Sequence, residues 1–287
     1  MSQQIKKFEG IGNFRLRIIY SVLLNKPIEI HKIRENQVNP GLNNAEVSFL
    51  KLVDSITNGS KLEISKSGIS FKFFPGVITN NYGNEFEFEC DNQRNISFYL
   101  EGLLPISFYG KDPLVINLIG VTNNEIDISV DCFKSNICPN LQKLVVGDTI
   151  SLEILRRGIY PIGKGKVKLK CPIVTHLNPI EWLDEGKIKK VYGTAFSTRN
   201  SLLTKTIVEN AKSVMLKFLP NVWIYEDKQK YIKGEEKSSA GFGLSMTAET
   251  NNGFFFSADV VYDKELNAEE LSKKCSLMLL DEVLYVL

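Results

Sequence analysis

Imidazole is scarce in this 287-residue chain, which holds two histidines, His31 and His176. Neither has a second ligand type beside it, which argues against a zinc site, and neither lies near an evident nucleophile, so no triad can be read. Cysteine is sparse too: Cys90, Cys132, Cys138, Cys171 and Cys275 are odd in number, scattered and without a Cys-x-x-Cys pair. That pattern excludes a disulfide scaffold and a dithiol redox motif and points to a reducing compartment. No run of eighteen apolar residues occurs, and the charged start, Met-Ser-Gln-Gln-Ile-Lys-Lys, has no apolar run behind it. The expectation is a soluble chain that is not secreted, in which the sequons at Asn58 and Asn95 carry no glycan. Nor does one sign of charge dominate: 35 Lys plus Arg against 33 Asp plus Glu leave +2. A histone-like or polyanionic protein is thereby excluded. Neither a Walker loop nor a Gly-x-Ser-x-Gly elbow is present. The acids Asp127, Asp131, Glu249 and Asp259 have no spacing that demands a metal, so neither metal nor cofactor is expected.

What the chain does have is 43% apolar residues, enough for a substantial core in roughly two domains. A strand is expected at Ile5 to Phe8, then a helix from Asn13 to about Leu24 with Phe14, Ile18 and Val22 on one face. A strand at Pro27 to Ile33 precedes a helix that opens on a capping box, Asn43 with Glu46. Leu62 to Ser65 and Ile69 to Phe74 alternate around a Lys-Ser-Gly turn, as a hairpin does. The same order recurs: strand Glu85 to Cys90, helix Ile96 to Ser107, strand Pro113 to Val121, helix Val130 to about Val145, then strands at Thr149 to Leu155 and Lys166 to Cys171. Pro27-Ile28-Glu29-Ile30 matches Pro113-Leu114-Val115-Ile116, and Leu62-Glu63-Ile64 matches Leu152-Glu153-Ile154. An α+β fold follows, in which a unit of two helices on a four-stranded sheet is duplicated across residues 1–186.

Beyond Lys187 the pattern changes to strand, long helix, strand, a lysine-rich loop through Lys237 and two alternating strands. Residues 187–263 are therefore read as an inserted small α/β domain. A further capping box, Asn267 with Glu270, opens a helix, so residues 264–287 are read as the start of an incomplete third repeat.

Positive charge is concentrated in two places. Arg156-Arg157-Gly158 precedes Gly163-Lys164-Gly165-Lys166, a turn that could hold phosphates through backbone amides and guanidinium forks. Lys164, Lys166, Lys168 and Lys170 alternate along one strand, which fits either a solvated sheet face or contact with an RNA backbone. Arg15 and Arg17 sit at a helix start, where cations oppose the dipole, so helix stability does not explain them. Arg15, Arg17, Arg156, Arg157, Lys164, Lys166 and Lys168 are thus the candidate RNA-binding residues, with no catalytic residue assigned.

Six spaced motifs then point to a family: Gly10 to Ile18, Asn39-Pro40-Gly41-Leu42, Glu46 to Ser60, Arg156-Arg157-Gly158, Gly163 to Val167 and Ala248-Glu249-Thr250. Together they resemble the RNA 3′-terminal phosphate cyclase superfamily, and within it the eukaryotic cyclase-like branch, over essentially the whole chain. The resemblance implies three repeats of the two-helix, four-strand unit with a small domain inserted in the third. Active cyclases are implied to adenylylate a histidine near their C-terminus and to pass AMP to a 3′-phosphate. Here the glycine run before the family's Gln-Ile-Leu-Arg is broken, and only Leu16 and Arg17 of that motif persist. Phe14 stands in place of the glutamine and is expected to obstruct a phosphate. Neither His31 nor His176 falls at the cyclase position, and the chain ends before the region that would hold that histidine, leaving no acceptor for AMP. The cyclase-like branch is implied instead to be a non-catalytic factor of small-subunit ribosome assembly in the nucleus and nucleolus. It is implied to bind a ribosome-assembly GTPase and pre-rRNA, with no membrane involved. Direct endonucleolytic cleavage of pre-rRNA is the alternative, and an active cyclase is the remote one.

Overall fold

A computed structural model describes residues 4–198, 201–228, 238–262 and 266–284. In the first unit the chain runs through β1 (Lys6–Glu9), α1 (Phe14–Leu23), β2 (Ile28–His31), α2 (Asn44–Ser55), β3 (Thr57–Asn58), β4 (Lys61–Ile64), β5 (Phe71–Phe74) and β6 (Val77–Ile78). The sheet order is β1-β2-β5-β4, with β1 parallel to β2 and the other pairings antiparallel. In the second unit β7 (Phe86–Glu89), α3 (Ile96–Ser107), β8 (Leu114–Gly120), a helical stretch, β9 (Ser151–Arg156) and β10 (Gly165–Cys171) give the order β7-β8-β10-β9. Each unit therefore threads its sheet the same way, and the two sequence matches fall on equivalent strands, β2 with β8 and β4 with β9.

The sequence patterns explain these elements. Phe14, Ile18 and Val22 are buried on one face of α1. At the start of α2 both halves of the capping box form, the Glu46 amide donating to Asn43 Oδ1 at 2.8 Å and the Asn43 amide to Glu46 Oε2 at 2.9 Å. The helices of both units share one core, in which Phe49 meets Phe14 and Phe98 edge to face, each with ring centroids 6.1 Å apart. Where one helix was expected from Val130 to about Val145, the chain forms α4 (Val130–Cys132), a π turn (Phe133–Ile137) and α5 (Cys138–Leu144). Pro139 supplies the reason: it has no amide hydrogen to donate four residues back, to the carbonyl of Ser135. That carbonyl accepts the Tyr192 hydroxyl instead, at 3.1 Å.

The third unit has a different thread: β11 (Ile188–Ser197), α6 (Ser201–Met215), β12 (Val222–Lys228), β13 (Phe242–Thr250), β14 (Phe255–Val261) and α7 (Ala268–Val283), with the order β12-β11-β13-β14. The lysine-rich stretch 229–237 lies outside the described residues. The capping box of α7 forms as expected, but the division at residue 263 is not a packing boundary. Leu271, Cys275 and Leu279, fourfold-spaced and fully buried, join Leu244, Met246, Ala258 and Ile207 in one core. The apolar face of α7 has the open face of this sheet within reach, so β11 to β14, α6 and α7 pack as one unit.

At Gly102 of α3 the helix packs tightly on α2: an added Cβ would lie 2.4 Å from two ring carbons of the buried Phe49. Gly102→Ala gains about 1 kcal/mol of helix propensity but overpacks the core by about 1–3 kcal/mol. Urea denaturation is expected to show net destabilisation, whereas on an exposed helix the same change stabilises.

Candidate functional site

The basic strand lies in the middle of the second sheet. Val167, Leu169 and Cys171 of β10 point into the core, and Lys166, Lys168 and Lys170 point outward. Between β10 and the edge strand β7 runs β8, and the lysines reach across it. Lys164 pairs with Glu89 at 2.8 Å, Lys166 with Glu87, and Lys168 with both oxygens of Glu85 at 2.8 Å. Hydrogen bonds from Lys168 and then Asn117 hold the Glu85 carboxyl below its usual range. The outer face is thus a ladder of alternating charges rather than a basic stripe. Its sequence signal was the alternation of Glu85, Glu87 and Glu89, opposite in sign to the lysines.

The adjoining turn is closed by its own contacts. Arg156 Nε donates to the Lys164 carbonyl at 2.6 Å, and Asn92 Nδ2 donates to the Pro161 and Ile162 carbonyls at 3.2 and 2.9 Å. Gly158 and Gly165 let two backbones touch, since a Cβ on Gly165 would stand 2.6 Å from the Gly158 amide nitrogen.

Arg157 is not a surface cation. Its side chain, 4% exposed, is bidentate to Asp131 at 2.7 and 2.8 Å, donates through Nε to Asp227 at 2.7 Å and stacks over the Phe196 ring at 4.4 Å. It joins the second unit to the third, and a phosphate cannot reach it without unpicking that junction. Burial works against the charge of Asp131, but the charge and hydrogen bonds of Arg157 prevail and hold its carboxyl below the usual range.

Arg15 and Arg17 part company. Arg15 turns to α3, pairing with Glu101 at 2.5 Å, donating to the Phe98 carbonyl at 2.7 Å and stacking on the Phe98 ring at 4.3 Å. Arg94, bidentate to Asp127, stacks on the same ring at 4.2 Å. Arg17 donates to the Gly10 carbonyl at 2.8 Å, covers Phe8 at 4.8 Å and lines a groove with Lys6, Tyr20 and Lys26. The expectation that Phe14 obstructs a phosphate is corrected: its ring is 6% exposed and packs edge to face on Phe49 and Phe71, inside the core. An apolar side chain at a helix start follows the buried face. His31 lies 3.3 Å from Glu9, and His176 3.1 Å from Thr175.

Between the second and third units is a cleft of about 570 Å³ lined by Asp131, Lys134, Glu153, Arg157, Tyr192 and Asp227. A polar seam between the units adjoins it: Ser129 meets Ser245 at 3.1 Å, Ser135 meets Thr247 at 2.6 Å, and Asn136 donates to Ser257 at 2.8 Å. In the seam Asp259 accepts from the Ser129 amide at 3.2 Å, and burial, which outweighs that bond, pushes its carboxyl up to about 6. Among the described residues no three His, Cys, Asp or Glu side chains are grouped to hold a metal ion.

Residues 6–284 match the family described as RNA 3′-terminal phosphate cyclase. The chain is 39% identical over 283 residues to an RNA 3′-terminal phosphate cyclase-like protein of Bos taurus, covering 96% of this chain and 74% of the relative. A probable cyclase-like protein of Dictyostelium discoideum is 40% identical over 255 residues, 88% of this chain and 67% of that one. An rRNA processing protein of Schizosaccharomyces pombe is 34% identical over 284 residues, 98% of this chain and 77% of that one. With the α+β fold in place, the chain belongs to the RNA 3′-terminal phosphate cyclase family.

Two predictions concern the junction. Arg157→Met leaves Asp131 buried without its partner and is expected to cost about 3 kcal/mol or more, measured by denaturant unfolding. For Asp259 the folded carboxyl titrates higher than the unfolded one, so its ionisation opposes folding, progressively as pH rises from about 4 to 6 and fully above. Asp259→Asn is therefore expected to be more stable than the parent at neutral pH, by about 2–3 kcal/mol. Thermal melts should show the gain shrinking as pH falls toward about 4.

Proposed function

We propose that this chain is a non-catalytic factor in rRNA processing for the small ribosomal subunit, acting in the nucleolus by binding a ribosome-assembly GTPase and pre-rRNA. The observation that carries the reading is the identity to the fission yeast rRNA processing protein along 98% of the chain. The broken glycine run beside Arg17 supports the absence of cyclase chemistry.

RNA contact through Arg156, Lys164, Lys166 and Lys168 is part of this proposal, with a restriction set by the glutamate ladder. A lysine already facing a carboxylate releases fewer counterions when it meets a phosphate, so this face contributes weakly to affinity. Arg157 and Arg15 take no part, because their guanidinium groups serve contacts between elements.

Depletion followed by blotting for small-subunit rRNA precursors tests the role. Precursor accumulation is expected, and unchanged precursor levels would overturn it. Incubation with labelled ATP is expected to leave no covalent adenylate. Replacing Glu85, Glu87 and Glu89 together by Gln is expected to tighten RNA binding and steepen its salt dependence between about 50 and 200 mM. Fluorescence anisotropy reads both effects, and an unchanged slope would mean that RNA does not use this face.

A further inference from the structure

Beside the edge strand β1 lies a groove of about 600 Å³ that the proposed role leaves without a use. Its floor is Phe8, Ile28 and a stripe along α1 and its C-cap: Leu16, Tyr20 and Leu24, which are 50%, 59% and 61% exposed. Fourfold spacing puts the three on one helix face, and a contiguous apolar stripe of this kind is what another element covers.

The strand alongside has a free edge. The sheet order ends on β1, and the Lys6 and Gly10 amides donate to the Pro27 and His31 carbonyls of the β2 segment. By the alternation of a parallel ladder, Lys7 directs its N–H and C=O away from β2, toward the open edge. The rim is cationic, made of Lys6, Arg17 and Lys26, with Lys7 on the outer face. Among the described residues neither Lys6 nor Lys26 has a carboxylate partner, and Lys7 has Glu29 at 3.6 Å.

We infer that this groove and edge form a docking site for an extended segment of a partner protein, added to β1 as a fifth strand. The segment alternates apolar residues, which cover Leu16, Tyr20 and Leu24, with acidic ones, which face Lys7 on the outer side, while Lys6 and Lys26 at the rim add a field of the same sign. The floor favours a peptide over RNA: Leu16, Leu24 and Ile28 offer a nucleobase neither a stacking plane nor a hydrogen bond, and of the two rings Phe8 is already covered by Arg17, leaving Tyr20 alone to stack. The site rests on β1 and α1 alone and is independent of the rRNA-processing reading.

The test is fluorescence anisotropy on the full chain with three labelled probes: a short peptide alternating Val and Glu, its Val and Lys counterpart, and an oligouridylate. The Val/Glu peptide is expected to bind and the Val/Lys peptide not to. The double variant Lys6→Glu, Lys26→Glu should weaken binding by about tenfold or more. Lys7→Pro should also weaken it with the fold intact by circular dichroism, because its own sheet does not use that amide. Failure of the parent chain to bind the Val/Glu peptide overturns the inference, as does binding that both folded variants retain. Oligouridylate displacing the peptide would make the groove a nucleic-acid site. Self-association abolished by Leu24→Asp would make the occupant a second copy of the chain. Either outcome also overturns the inference.

Discussion

A guanidinium buried to the extent of Arg157 is tolerated only where carboxylates and a ring face compensate its lost hydration. Its partners come from separate parts of the chain: Asp131 at the start of α4, Asp227 near the end of β12, and Phe196 on β11. Because these belong to two units, the pairing dictates where the third sheet sits against the second. The same requirement shapes the cleft, since the carboxylates that neutralise Arg157 are also its walls. The contacts beside it are hydroxyls and amides, and the aliphatic side chains of β13 are spent on α6 and α7. The junction is therefore mainly directional, made of hydrogen bonds and charge beside one small apolar cluster of Ile159, Phe196 and Val261, while each sheet is held to its own helices by apolar burial.

That division affects what the surface can offer to a nucleic acid. The cations that the sequence singled out, and several of their neighbours, are occupied: Lys164, Lys166 and Lys168 by the glutamates of β7, Arg94 by Asp127, Arg34 by Glu46, and Arg15 by Glu101. Such pairing lowers the electrostatic gain of phosphate contact without abolishing it. A protein working in this regime gains its targets more through shape and protein partners than through a long-range positive field. The cyclase-like relatives and the proposed assembly role accord with that physical picture.

Much of the fold was legible in the residues, and for identifiable reasons. Apolar spacings of three and four located α1, α2 and α7, and the capping boxes at Asn43 and Asn267 placed two starts to the residue, because both halves of each motif are local. The duplicated thread was legible from Pro27-Ile28-Glu29-Ile30 and its counterpart at Pro113, since a repeated sheet needs repeated strand patterns. The π turn was not read, although Pro139 was its visible cause; an interior proline can break, kink or re-register a helix, and the neighbours choose among these. Which sheet covers α7 was not legible, because an amphipathic helix announces that it has an apolar face and not which sheet will cover it.

The candidate site shows the same limit more sharply. Sequence alone determined that Lys164, Lys166 and Lys168 share a face and that Arg156 and Arg157 adjoin a glycine turn. These are properties of neighbours in the chain, and local geometry settles them. Only the tertiary structure decided that Glu85, Glu87 and Glu89 reach across β8 to those lysines, that Arg157 is buried while Arg156 beside it is not, and that Phe14 faces the core. Each of these depends on an element about thirty or more residues away, and a charge or a ring acquires its role from what packs against it.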